Sequence, residues 1–224
     1  MKPFILCIIF CGCLTMASVA WGEELVMGLD SVLKGIVMGA KFGDVVAAHP
    51  EAKYSDSDIY DIPVSLEQPG ALLITHEKDP FLGLHAAANI GFKDGVVYEL
   101  VAVWTCEDDN MTDLCKRFFT AAIQRHGQTY LRETIVVYPR APEERPVAVF
   151  VWHEKDAVVL AFYTPASLLD PHPKSALTYA QFTPGDPFLV DILEKNPPTK
   201  EQREQAWKGL ADVLPALEEV KQIK

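Results

Sequence analysis

Two apolar runs, Leu84 to Phe92 and Val96 to Trp104, flank the tripeptide Lys93-Asp94-Gly95. An Asp-Gly pair supplies the positive φ that a two-residue hairpin turn needs, so this stretch predicts an antiparallel hairpin and commits the chain to a sheet. A further strand is predicted ahead of it, from Leu72 to Lys78. Ahead of that strand, Lys41 to Ala48 reads as a short helix with Phe42, Val45 and Val46 on one face, closed by His49-Pro50.

The same order returns with a longer helix. Thr112 to His126 carries Leu114, Cys115, Phe118, Phe119, Ala122 and Ile123 on one broad face, and Gly127 stands where a C-cap belongs. Strands are predicted at Glu133 to Tyr138, Val147 to His153 and Ala157 to Tyr163, the last two meeting at Lys155-Asp156. The turns align, Lys93-Asp94-Gly95-Val96-Val97 with Lys155-Asp156-Ala157-Val158-Val159. The expected fold class is α+β: two αβββ-like units, residues 35–104 and 105–164 of a domain at 23–164, with helices packed on antiparallel sheet.

The stretch Gly39-Ala40-Lys41-Phe42-Gly43-Asp44-Val45, closed by Pro50 and followed by the turn Phe92-Lys93-Asp94-Gly95-Val96-Val97, resembles the repeat of the SmpA/OmlA-type envelope lipoproteins. It is also similar to the related repeat fold of the β-lactamase inhibitor protein. The resemblance spans about Gly35 to Tyr163, and it implies a scaffold or binding role exercised through protein contacts. Three features depart from it: the Thr usual early in the helix is missing, the Pro50 to Leu72 connection is long, and the C-terminal extension has no counterpart.

Beyond Tyr163 the composition changes. Pro165, Pro171, Pro173, Pro184, Pro187, Pro197 and Pro198 punctuate residues 165–198, which read as an extended arm. One short helix is expected inside it, with Asp186 as N-cap, Pro187 at the first helical position, and Phe188, Leu189, Ile192 and Leu193 as its stripe. A last amphipathic helix is expected within residues 199–224, capped by Thr199, with Pro215 kinking or restarting it. Its stripe, Trp207, Leu210, Leu214 and Leu217, with Val220, either packs back on the domain or binds a partner.

The N-terminal residues 1–22 give an address. Lys2 precedes the apolar run Phe4 to Leu14, and Ala17-Ser18-Val19-Ala20 fits cleavage after Ala20 or Gly22, so the segment reads as an export signal. An uncleaved anchor or lipid attachment at Cys13 are the alternatives, and either would be the chain's one link to a membrane. Periplasm or cell envelope is the expected location. Cys7, Cys11 and Cys13 leave with the signal, so Cys106 and Cys115 remain, and an oxidising compartment favours a structural disulfide between them. Their spacing is unlike the CxxC of thiol oxidoreductases.

About 200 residues after cleavage suffice for one ordinary core, and an apolar content of 49% excludes disorder as the main state. The formal net charge of −11 argues against nucleic acid and against docking on anionic lipid.

No GxSxG, HExxH, P-loop or GxGxxG motif occurs, which weakens an enzyme reading without removing it. His49 and His126 end helices, where an imidazolium suits the dipole. His76 and His153 precede Glu77 and Glu154 in strands, where neighbours point to opposite faces. Asp56-Ser57-Asp58-Ile59-Tyr60-Asp61 lacks the Gly and spacing of a calcium loop, and Glu107-Asp108-Asp109 reads as a surface run. The sequence therefore suggests no catalytic residue, no cofactor and no metal ligand. It points to a non-catalytic binding or scaffolding protein whose partner is another envelope protein. The alternatives are an exported hydrolase without a common motif, or a small-ligand carrier lined by Trp104, Phe118, Phe119 and Trp152.

Overall fold

The structure is a computed structural model that describes residues 28–29, 31–33, 35–54, 71–106, 111–140, 143–166, 174–195 and 197–214. The signal segment, the Asp56–Asp61 and Glu107–Asp109 clusters, Leu217 and Val220 lie outside the described residues. In chain order the elements are α1 (Phe42–Ala48), β1 (Lys53–Tyr54), β2 (Ala71–His76), β3 (His85–Lys93) and β4 (Val96–Cys106). There follow α2 (Met111–His126), β5 (Leu131–Arg140), β6 (Glu143–His153), β7 (Val158–Thr164) and β8 (Ser175–Phe182). The chain continues through α3 (Pro187–Val190), a π turn (Asp191–Lys195) and α4 (Lys200–Val213). Every strand pairs antiparallel in one eight-stranded sheet of order β1-β2-β3-β4-β8-β7-β6-β5.

The β3–β4 hairpin forms where the sequence requires it. Asp94 and Gly95 have φ of 53° and 76°, the paired positive values of a turn whose twist matches that of the strands it joins. At the second turn, Glu154 N–H donates to Ala157 O at 2.9 Å and joins β6 to β7. The α+β class holds, with a different strand count. Ser175 to Phe182, which the sequence reading places in the Pro-rich arm, is β8, lying between β4 and β7 near the centre of the sheet. Leu177, Tyr179, Ala180 and Phe182 are buried, Leu177 and Tyr179 against one face of the sheet and Ala180 and Phe182 against the other. A strand buried on both faces shows no clean alternation of polarity, so periodicity passes over it. Each helix, α1 and α2, is thus followed by four strands rather than three.

One face of the sheet carries α1, α2 and α4. Phe118 and Phe119 of α2 are fully buried, each contributing ~2–3 kcal/mol by burial alone. They belong to a chain of edge-on and tilted rings: Trp104 to Phe118 at 5.7 Å, Phe118 to Phe119 at 5.1 Å and Phe119 to Phe150 at 4.9 Å between centroids. Gly127 closes α2 as expected, its N–H donating to Ile123 O at 2.8 Å. Thr199 caps α4 in a reciprocal capping box with Gln202. Leu214, the residue before Pro215, leaves helical geometry with ψ of 63°.

The stripe of α4 is used at home. Ala206, Leu210 and Leu214 are buried in the helix-side core, and Trp207 stacks on Phe150 at 5.9 Å, with the Arg132 guanidinium 3.9 Å from its ring centre. Leu210 and Leu214 are 3% and 2% exposed, the packing that the first of the two readings of the stripe expects.

The opposite face holds a second apolar layer: Val101, Val103, Ile135, Val147, Val149, Val151, Val158, Leu160, Ala180 and Phe182. Among the described residues, its cover is the segment Pro187–Lys195, through Phe188, Leu189, Ile192 and Leu193. Asp186 and Pro187 take the N-cap and first-turn places that the sequence assigns them.

Candidate functional site

A β-bulge in β4 creates the most unusual chemistry of the molecule. Gly91 of β3 pairs with Glu99 and Phe92 with Val97, so Tyr98 is an extra residue on the β4 side. Val97 and Leu100 both enter the helix-side core with two residues between them instead of one. The bulge resets the alternation and lets the neighbours Tyr98 and Glu99 hydrogen-bond to each other, which a regular strand forbids. Glu99 lies in step with Val101 and Val103 and so joins the second apolar layer, where it is 7% exposed.

Gly91 makes room for this pair. A Cβ at position 91 would sit 3.0 Å from Tyr98 Cε1 and 3.1 Å from Glu99 Oε2, closer than a side chain tolerates without displacing them.

A second carboxylate comes from the turn after β8. Phe182 is the β8 residue opposite Glu99. The chain then turns through Thr183, whose N–H donates to Tyr98 O at 3.0 Å, and Gly185, with φ of 78°, to Asp186. Asp186 is 6% exposed and accepts from the N–H groups of Phe188 at 2.9 Å and Leu189 at 3.2 Å. Burial first, and then the charge of Asp186, push the Glu99 carboxyl up to about 7, against a smaller opposing pull from the Tyr98 hydrogen bond. Burial and the two carboxylates push the Tyr98 phenol up to about 12. Near neutral pH the patch therefore changes by one proton, the property of an acid–base group.

A second polar constellation is closed on itself. His126, at the end of α2, has Nδ1 2.5 Å from Glu154 Oε1 and Nε2 2.7 Å from Tyr179 OH. Gln181 Nε2 donates to the same phenol at 2.7 Å. The set is satisfied when Tyr179 donates to Nε2 and the imidazole N–H at Nδ1 faces Glu154. Trp152 Nε1–H donates to Gly127 O at 2.8 Å beside it. The relay pins the C-terminus of α2 to β6 and β8, which extends the helix-end role read from sequence.

Asp79 is a third buried group, one that no local pattern of residues announces. It is 0% exposed and accepts from Ser31 Oγ at 2.5 Å, Phe81 N at 2.9 Å, Leu82 N at 3.0 Å and Trp104 Nε1 at 3.0 Å. Arg117 donates to Phe81 O in the same knot. So many donors on one carboxylate make it a structural hub.

Cys106, at the end of β4, and Cys115, in α2, stand as two buried thiols rather than as the disulfide that the sequence suggests. Both side chains are sunk in the helix-side core, and burial, then the nearby Cys106, pushes the Cys115 thiol up to about 12. Trp104, Phe118, Phe119 and Trp152, which the carrier alternative would use as a cavity lining, are packed core at 2% exposure or less. Among the described residues, no three His, Cys, Asp or Glu side chains gather as a metal site, and no helix is long and apolar enough to cross a membrane.

This arrangement defines an α+β protein with a two-sided antiparallel sheet and a bulge-held carboxyl pair. Compared with family profiles, curated proteins and solved structures, the chain matches none.

Proposed function

We propose that this is an exported, non-catalytic binding protein of the periplasm or cell envelope, which takes an extended segment of another envelope protein along the outer edge of β5. The observation that carries the reading is that edge. β5 runs from Leu131 to Arg140 as the last strand of the sheet and, among the described residues, pairs with β6 alone. Such a strand offers a row of backbone donors and acceptors, the basis of recognition by strand addition. Its first three residues, Leu131, Arg132 and Glu133, are exposed, while the strand at the far edge, β1, has only two residues. The acidic chain, the signal-like residues 1–22 and the resemblance to envelope lipoproteins support the same reading. Oxidation of Cys106 and Cys115 to a disulfide after export belongs to it too.

The test is a photo-crosslinking residue placed in the native host at Glu133 on β5 and, as a control, at Asp156 in the β6–β7 turn; both sites are exposed. One defined protein adduct from Glu133 and none from Asp156 is expected. Equal yields from both positions, or none from Glu133, would refute the reading.

The pair Glu99 and Asp186 favours one second reading, an acid–base hydrolase, because a carboxyl pushed up to about 7 beside a second buried carboxyl group suits that chemistry. Turnover of a model ester or glycoside that is lost in Glu99→Gln would establish it.

A further inference from the structure

We propose that Pro187–Lys195 is a pH-sensitive cover over the second apolar layer, latched by the carboxyl pair Glu99 and Asp186. The inference stands apart from the β5 edge and does not depend on it.

The cover is lightly built. α3 has four residues and the π turn five, too few to hold a helix without outside support. Its attachments include the side chain of Asp186, which caps the N–H groups of Phe188 and Leu189, and the apolar contacts of Phe188, Leu189, Ile192 and Leu193. Phe188 meets Phe182 at 5.6 Å between ring centroids, so the cover closes over the strand residue that faces Glu99.

Ionisation of Glu99 adds a negative charge to a buried patch that Asp186 already disfavours for it. The groups acting on Glu99 are Tyr98 from its own strand, which donates to it, and Asp186 from the turn before α3. β3 and β8 meet it with Gly91 and Phe182, which carry no charge. Two carboxylates nearly shut from water repel strongly, and one of them must reach solvent. Glu99 is fixed in a strand paired on both sides, by β3 and β8. Asp186 sits on a turn that contains Gly185, so it is the one that moves. Its departure removes the cap from Phe188 and Leu189 and lifts their side chains from the second apolar layer, Phe188 from Phe182 among them. A rise in pH through neutrality therefore uncovers an apolar strip.

Amide hydrogen exchange at Phe188 and Leu189, corrected for the intrinsic rate and referred to Val159 and Ala180 in the sheet, tests this. Protection falls between pH 6 and 8 by up to about tenfold, the linkage limit for a carboxyl at about 7 when covered and 4.5 if fully solvated when open. In Glu99→Gln the profile is flat. A flat profile in the wild type, or the same fall in Glu99→Gln, overturns the proposal. Asp186→Asn keeps a capping oxygen and supplies an independent arm. There the fall shrinks if the pair is the latch, and an unchanged fall overturns it.

Discussion

Replacing Glu99 with Gln removes one titrating group and keeps its shape and its hydrogen bond with Tyr98, so the effect on stability is electrostatic. The folded protein holds the Glu99 proton up to about 7, whereas a solvated glutamic acid releases it near 4.5. Between those values the native state binds more protons than the unfolded chain, so stability falls as pH rises and levels off above pH 7. At ~1.4 kcal/mol for each tenfold change in proton affinity, the loss is about 3 kcal/mol. Glu99→Gln does not suffer it. Urea unfolding followed by tryptophan fluorescence at pH 4.5 and pH 8 reads this directly. With a slope of ~2 kcal/mol/M, the variant's midpoint moves relative to wild type by ~1.5 M between the two conditions. Other carboxylates titrate over the same range, but they are common to both proteins and cancel in the comparison. If wild type and variant change in parallel, to within ~1 kcal/mol, Glu99 is an ordinary carboxylate and the reasoning fails.

Three further outcomes follow from the packing. Gly91→Val drives a side chain into Tyr98 and Glu99 and costs about 1–3 kcal/mol in urea unfolding, and wild-type stability would show that the bulge has slack. Leu210→Ala empties a buried site under α4 and costs about 2–4 kcal/mol, whereas a partner-binding Leu would leave stability unchanged. In the reduced, folded protein Cys115 stays unreactive toward a thiol reagent at pH 8 until the chain unfolds, and rapid labelling of the native state would place it outside the core.

Local chemistry was legible in the sequence and long-range chemistry was not. Asp94-Gly95, Gly127, Asp186-Pro187 and the Thr199 cap act on their immediate neighbours, and the structure uses each as the residues indicate. β8 was missed because burial on both faces erases the alternation that marks a strand, and prolines on either side pointed to an arm. Asp79 resembles any turn aspartate until Ser31 and Trp104 are brought to it by folding. Glu99 and Asp186 meet only because β8 lies beside β4, a pairing of distant segments that no local pattern encodes. One trace of the bulge was present: in Val97-Tyr98-Glu99-Leu100 two polar-tipped residues stand where strict alternation allows one.

The most direct test of the carboxyl patch is the titration of Glu99 itself. Carboxyl carbon NMR, with the resonance assigned by its loss in Glu99→Gln, gives the midpoint in the folded protein. A midpoint at about 7 is expected. A midpoint near 4.5, the value of a solvated glutamic acid, would contradict it and remove both the latch and the acid–base reading.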